Sequence, residues 1–205
     1  MESEDSTEEV LTRAQAANVL GLSPNTVSKL LDSRFLGDLQ ATRVLTLARA
    51  PHVSVVEGML PVLRTAAAAS PSHPDDDRDF IGDSPLLTDE QFLEASRQWW
   101  RCEPETIVTA GVLPVAVAGW VTGVLAIQGR DDTRHLGRGE VRHSFTATVV
   151  GRVGTLDAPD TYRVLATDRA MADLTRKLLG SRVHTAVSGG PIAYLKADPA
   201  ARENS

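Results

Sequence analysis

The stretch Thr12 to Ser33, TRAQAANVLGLSPNTVSKLLDS, constrains this chain more than any other. Its pattern predicts two short helices joined by a tight turn. Ala17 is small where the helices would cross. Gly21 falls at the turn, where a left-handed backbone is required and glycine adopts it without strain. Leu20, Leu22, Val27 and Leu30 are apolar at spacings that close a small core between the helices. Ser23-Pro24 opens the second helix, residues 23–33: Ser caps the free N–H groups and Pro suits the first turn. Asn25, Ser28, Lys29 and Asp32 are then left for solvent, with Thr26 at the margin. A helix face of short polar side chains and one cation suits a DNA major groove.

The segment Leu11 to Leu36, roughly an eighth of the chain, resembles the N-terminal module of the excisionase and MerR-type winged helix-turn-helix families. Leu11-Thr12, Ala16-Ala17, Leu20-Gly21-Leu22-Ser23 and Thr26-Val27 carry the resemblance in one register. Members of those families bind DNA as transcription regulators or as accessory factors in recombination. On this reading Asn25, Thr26, Ser28 and Lys29 face base edges, while Arg13, Ser23, Arg34 and Arg43 hold phosphates. The families follow the second helix with a basic, Gly-rich wing. Here Arg34 to Arg49 offers Val44, Leu45 and Leu47 for strands, but no Gly-Arg tip, and Asp38 has the wrong sign. The segment forms either a short wing or a helix. One short recognition helix reads few base pairs, so a homodimer on double-stranded DNA is expected.

A net charge of −6 sits oddly with a DNA partner until it is divided along the chain. The tail 1–9 holds five acids and no base, and residues 70–90 hold seven acids against Arg78. Residues 10–69 carry six bases and three acids, a surplus that binds DNA weakly and with strong salt dependence. The expected organisation is an acidic tail over 1–9, a helix-turn-helix domain over 10–69, a Pro/Ser/Asp linker or surface loop over 70–85, an α+β domain over 86–197 and a tail over 198–205. Residues 53–69 read as a helix closing the first domain, with Pro61 kinking it.

The second half begins with a helix over 88–101, capped by Thr88, with Trp99 and Trp100 as packing anchors. A hairpin follows over 113–127, in which Gly123 marks a bulge or a close backbone approach. Strands are expected over 141–153, 162–166 and 192–195, a helix over 168–179, and a turn over 188–191. The fold class is therefore α+β: a mainly helical N-terminal domain, then a small antiparallel sheet or partly closed barrel with two helices.

Trp99, Trp100, Gly119, Gly123, Val124, Ile127, Arg142 and Phe145 occur in an order that resembles PUA-like β-barrel modules. That resemblance implies binding of RNA or of a modified DNA base. The loop 130–143 supplies Arg130, Arg134, Arg138 and Arg142 among glycines as a possible second nucleic-acid contact. Asp131, Asp132 and Glu140 offset most of that charge.

No GxSxG, Walker loop, HExxH or dinucleotide fingerprint occurs, so no enzyme and no cofactor are expected. The single Cys102 excludes a disulfide within the chain or a cysteine zinc cluster, and the five histidines lack ligand spacing. No apolar run reaches the length of a membrane span, and MESEDSTEEV is the opposite of a secretory signal. Arg and Ala are frequent and only three Lys occur, as in products of GC-rich bacterial genomes. A cytoplasmic, sequence-specific DNA-binding protein of bacterial, phage or plasmid origin is the leading expectation. The alternatives are a PUA-like reader of RNA or modified bases, and a structural adaptor without DNA affinity. No feature of the sequence names a small-molecule ligand or the DNA site.

Overall fold

The structure, a computed structural model, describes residues 9–72, 76–136, 139–184 and 190–197. The expected tails apart from Glu9, Ser188 and Gly189 of the expected turn, and Arg138 lie outside the described residues.

Three helices open the chain: α1 (Arg13–Leu20), α2 (Pro24–Asp32) and α3 (Ala41–Ala48). The Thr12 hydroxyl accepts from the Gln15 N–H while the Gln15 side chain accepts from the Thr12 N–H, closing a capping box on α1. Gly21 ends α1 at φ 65°, and Ser23 caps α2 through the Thr26 N–H. The Arg34–Arg49 segment resolves toward a helix, α3, and forms no strand.

Residues 53–69 do not form the expected helix. Met59–Thr65 is strand β1, whose apolar run Leu60 to Leu63 is short enough for a buried strand. Pro61 is tolerated because β1 pairs there only with the last strand; pairing on its other side begins at Leu63. The alanines that favour a helix instead bridge to the following loop, Ala67 with Asp83 and Ala69 with Ile81.

Helix α4 (Asp89–Arg97) stops short of the expected 101, because Gln98 turns extended at φ −145° and starts β2 (Gln98–Trp100). In a strand the two adjacent indoles point to opposite faces, and each finds its own cover. A further helix, α5 (Pro104–Ala110), was not foreseen; Pro starts it and Gly111 ends it at φ 66°. Then come β3 (Val112–Val117), β4 (Trp120–His135), β5 (Val141–Arg152), the short β6 (Arg163–Val164), α6 (Arg169–Leu178) and β7 (Ile192–Lys196). The expected strand over 162–166 thus shrinks to two residues, and three helices accompany the sheet rather than two.

The sheet runs β2-β5-β4-β3-β1-β7, with β6 also on β5, and curls into a half-barrel in an α+β fold. It is mixed rather than wholly antiparallel, since β1 lies parallel to β3. Alternation along the strands sends Val62, Val121, Val124 and Val150 to one face, Leu63, Leu125, Ile127 and Phe145 to the other. The first face shares one apolar cluster with Ala16, Leu20, Val27 and Leu30 of the helix pair and with Leu178 of α6. The second packs against Phe92 of α4 and Ile107 of α5. Hydrogen bonds reinforce the docking: the Leu156 N–H donates to the Phe35 carbonyl, and Arg182 to the Leu20 carbonyl.

Candidate nucleic-acid interface

The second helix is built to hold its polar face rigid. Val27 and Leu30 are fully buried beneath it, and Ser33 at its end is buried with its hydroxyl donating to the Leu30 carbonyl. Asn25, Lys29 and Asp32 are exposed, and Ser28 is half-buried with its hydroxyl on the Pro24 carbonyl. The Ser23 and Thr26 hydroxyls share a 2.9 Å hydrogen bond, so the cap and the margin residue orient each other. Thr26 and Lys29 also line a cleft of about 560 Å³ between α2 and the sheet, together with Arg64, Ile81, Trp100 and Gly119.

The cations near the helix pair differ from those of the β4–β5 hairpin. Arg13, Lys29, Arg34 and Arg49 are exposed and form no ion pair among the described residues. Arg101, Arg169, Lys177 and Lys196, elsewhere in the chain, are likewise exposed and outside any ion pair among the described residues. Arg34 follows α2 at φ 65°, a left-handed position that few non-glycine residues occupy. Arg43 behaves differently from its neighbours. Its Nε lies 3.3 Å from Asp38 and its Nη1 3.1 Å from Asp157, which is nearly buried. The phosphate role expected of Arg43 meets a side chain already held by two carboxylates.

The described arginines of the 130–143 segment each face a carboxylate. That segment is no open loop: β4 runs to His135 and β5 starts at Val141. Arg130 faces Glu105 at 3.8 Å, Arg142 pairs with Glu140 at 2.7 Å, and Arg134 pairs with Asp77 at 2.6 Å. The Arg134 guanidinium also stacks 3.5 Å over the Trp99 ring, whose indole N–H donates to the same Asp77. Trp99 is therefore covered rather than offered to a base. The Arg134 hydrogen bond and the Trp99 indole hold the Asp77 carboxyl below the usual range.

One buried polar cluster escaped the sequence reading. Asp83, with no exposed surface, accepts from the Thr122 hydroxyl at 2.7 Å and from Arg152 at 3.2 Å. The Arg152 guanidinium sits 4.1 Å over the Phe92 ring. Burial pushes the Asp83 carboxyl up to about 6, against the opposing pull of Arg152 and Thr122. The only hint in the sequence was a charged residue inside the apolar β5 run. The cluster joins loop, β4 and β5 from within and lies apart from solvent, so its role is structural. Cys102 is pushed up to about 12 by burial and by Glu103, which keeps its thiol protonated at neutral pH.

Comparison with protein-family models, curated proteins and solved structures finds no significant match to this chain. The helix-turn-helix resemblance thus stands on the residues of α1 and α2. No described helix is long and apolar enough to cross a membrane.

Proposed function

We propose that the chain is a sequence-specific DNA-binding protein that reads the major groove with α2. The observation that carries this reading is the contrast between its cations. Arg13, Lys29, Arg34 and Arg49 surround the helix pair without carboxylate partners among the described residues, whereas Arg130, Arg134 and Arg142 are each paired. Phosphate binding favours cations that need not first abandon an ion pair. Asn25 and Ser28 supply short hydrogen-bonding groups on the outward face, and Lys29 a single cation, on a helix capped and packed to stay in place.

In this reading Arg13, Ser23 and Arg34 hold phosphates, joined by Arg49, and Arg43 serves to dock the helical module instead. The module works as part of the whole chain, because its core is shared with the sheet. A homodimer brings two copies of α2 to adjacent major grooves, giving a site long enough for specificity.

The test is fluorescence anisotropy of the full chain on duplex DNA across a salt series. Each phosphate contact contributes roughly −0.9 to the slope of log affinity against log salt. Arg34→Ala is expected to weaken all duplexes alike and make the slope shallower by about that amount. Lys29→Ala is expected to erase preference among duplexes. Absence of binding at low salt would end the proposal.

A further inference from the structure

The cleft beside α2 has a composition that groove reading does not explain. A recognition helix that only reads DNA has no use for a concave wall behind its basic residue. Here Lys29 and Thr26 form one side of a space of about 560 Å³, within the size range of small-ligand sites. Arg64 stands among the lining residues with its guanidinium donating to the Gly190 carbonyl, which fixes its position. Much of the remaining lining is apolar, with Trp100, Ile81 and the small turn residues Ala118 and Gly119, beside the hydroxyl of Thr65.

Each element contributes a distinct property. Gly119 sits at φ 97° in the two-residue turn between β3 and β4, so the chain turns there without a side chain filling the cleft. The Trp100 indole N–H is already satisfied by the Ser96 carbonyl at 2.7 Å and the Arg78 guanidinium lies 5.0 Å over the ring, so Trp100 meets the cleft with the 8 % of its surface left exposed. Lys29 has no carboxylate partner among the described residues. The Lys29 ammonium, the hydroxyls of Thr26 and Thr65 and the apolar part of the lining match a small molecule with an aromatic body and one anionic group.

We propose that this cleft binds a small planar aromatic anion, and that the bound anion competes with DNA for Lys29. The competition rests on the DNA-binding reading; the anion site itself does not. The ligand takes the ammonium of Lys29 as its counterion, lies against Trp100 and Ile81, and thereby removes the one cation on the reading face of α2. The cleft would then act as an effector site built into the DNA-reading helix.

Isothermal titration of the full chain, without DNA, tests the site with two probes: adenosine monophosphate, a phosphate, and 2-naphthoate, a carboxylate. Adenosine and 2-naphthol serve as their neutral counterparts. At least one anion is expected to saturate below about 1 mM and to bind at least about tenfold better than its neutral counterpart. Lys29→Ala should lose about tenfold and Lys29→Arg restore most of it. Preference between the two anions identifies phosphate or carboxylate as the recognised group. Amide shifts in the titrated protein should centre on Thr26, Lys29 and Gly119.

Failure of both anions to saturate, equal binding of the neutral counterparts, an unchanged Lys29→Ala, or shifts centred elsewhere would overturn the site. Adding the binding anion to a protein–DNA mixture should then lower anisotropy. An anion that binds without displacing DNA overturns the competition. Anion binding by a protein with no DNA affinity supports the site and removes the DNA reading.

Discussion

Nη1 of Arg43 lies 3.1 Å from Oδ2 of Asp157, joining helix α3 to the turn that follows β5. The other Asp157 oxygen is buried with no hydrogen-bond partner among the described residues, so Arg43 provides much of what that carboxylate receives. Arg43→Ala leaves a nearly buried charge unpaired, at a cost of about 1–3 kcal/mol. A fall in Tm of roughly 2–12 °C follows for a chain of this size. Thermal melts and salt-titrated DNA binding, run on the same variant, separate docking from phosphate contact. A lowered Tm with an unchanged salt slope is expected; an unchanged Tm with a shallower slope would return Arg43 to the phosphates.

A second prediction concerns the sheet's close approach to α4. A Cβ at Gly123 would lie 2.3 Å from Cζ of Phe92, a ring with no exposed surface. The ring has nowhere to move, since the Arg152 guanidinium covers it. Gly123→Ala should destabilise the fold by about 1–3 kcal/mol, read from chemical denaturation.

The buried pair Asp83–Arg152 yields a non-additive prediction. Asp83→Ala removes the buried partner of Arg152, leaving it only the Asp89 carboxylate at 3.8 Å, and should cost about 3–5 kcal/mol. Replacing both partners with apolar residues, Asp83→Leu with Arg152→Met, should be milder than that single change. A double variant less stable than both singles would show that the polar cluster, rather than mere filling, is required.

The pH dependence turns on His52, which stacks on His184 with ring centroids 4.1 Å apart where the helical module meets residues 181–184. Partial burial, then the His184 and Arg182 charges, hold His52 below the usual histidine range of 6.5. The unfolded chain therefore takes up this proton more readily than the folded one. The stability involved is complete above the unfolded value and is lost as pH falls through the folded one. Tm should drop between about pH 7.5 and about pH 5.5, and less so in His52→Gln. Equal drops in both proteins would assign the effect elsewhere, for example to His143, which burial and Arg130 also hold low.

The helix pair was legible because its signals are local. The Thr12 and Ser23 caps, the Gly21 turn and the apolar spacing act within a few residues of each other. The hairpin over 113–127 was legible for the same reason, including the irregular register at Gly123, but the run of β4 on to His135 through the expected loop was not. Strand β1 was not, because four alanines and a proline favour other structures locally. Only pairing with β3 and β7, distant in sequence, makes it a strand. Nor do Trp99 and Trp100 announce a strand at the end of an amphipathic helix; that break depends on β5 offering Ser144 and His143 as partners. The cation contrast was invisible too. Arg134 and Arg34 look alike in sequence, and Asp77 distinguishes them only once the chain is folded.

The most direct measurement compares two triple variants of the full chain on the same duplex DNA across a salt series. One carries Arg13→Ala, Lys29→Ala and Arg34→Ala; the other carries Arg130→Ala, Arg134→Ala and Arg142→Ala. With folding of both checked by circular dichroism, the first should lose binding at low salt and lose most of its salt slope, roughly 0.9 per phosphate contact removed. The second should bind like the parent. Loss of binding in the hairpin variant, with the helix variant unaffected, would contradict the account and move nucleic-acid recognition to the β4–β5 hairpin.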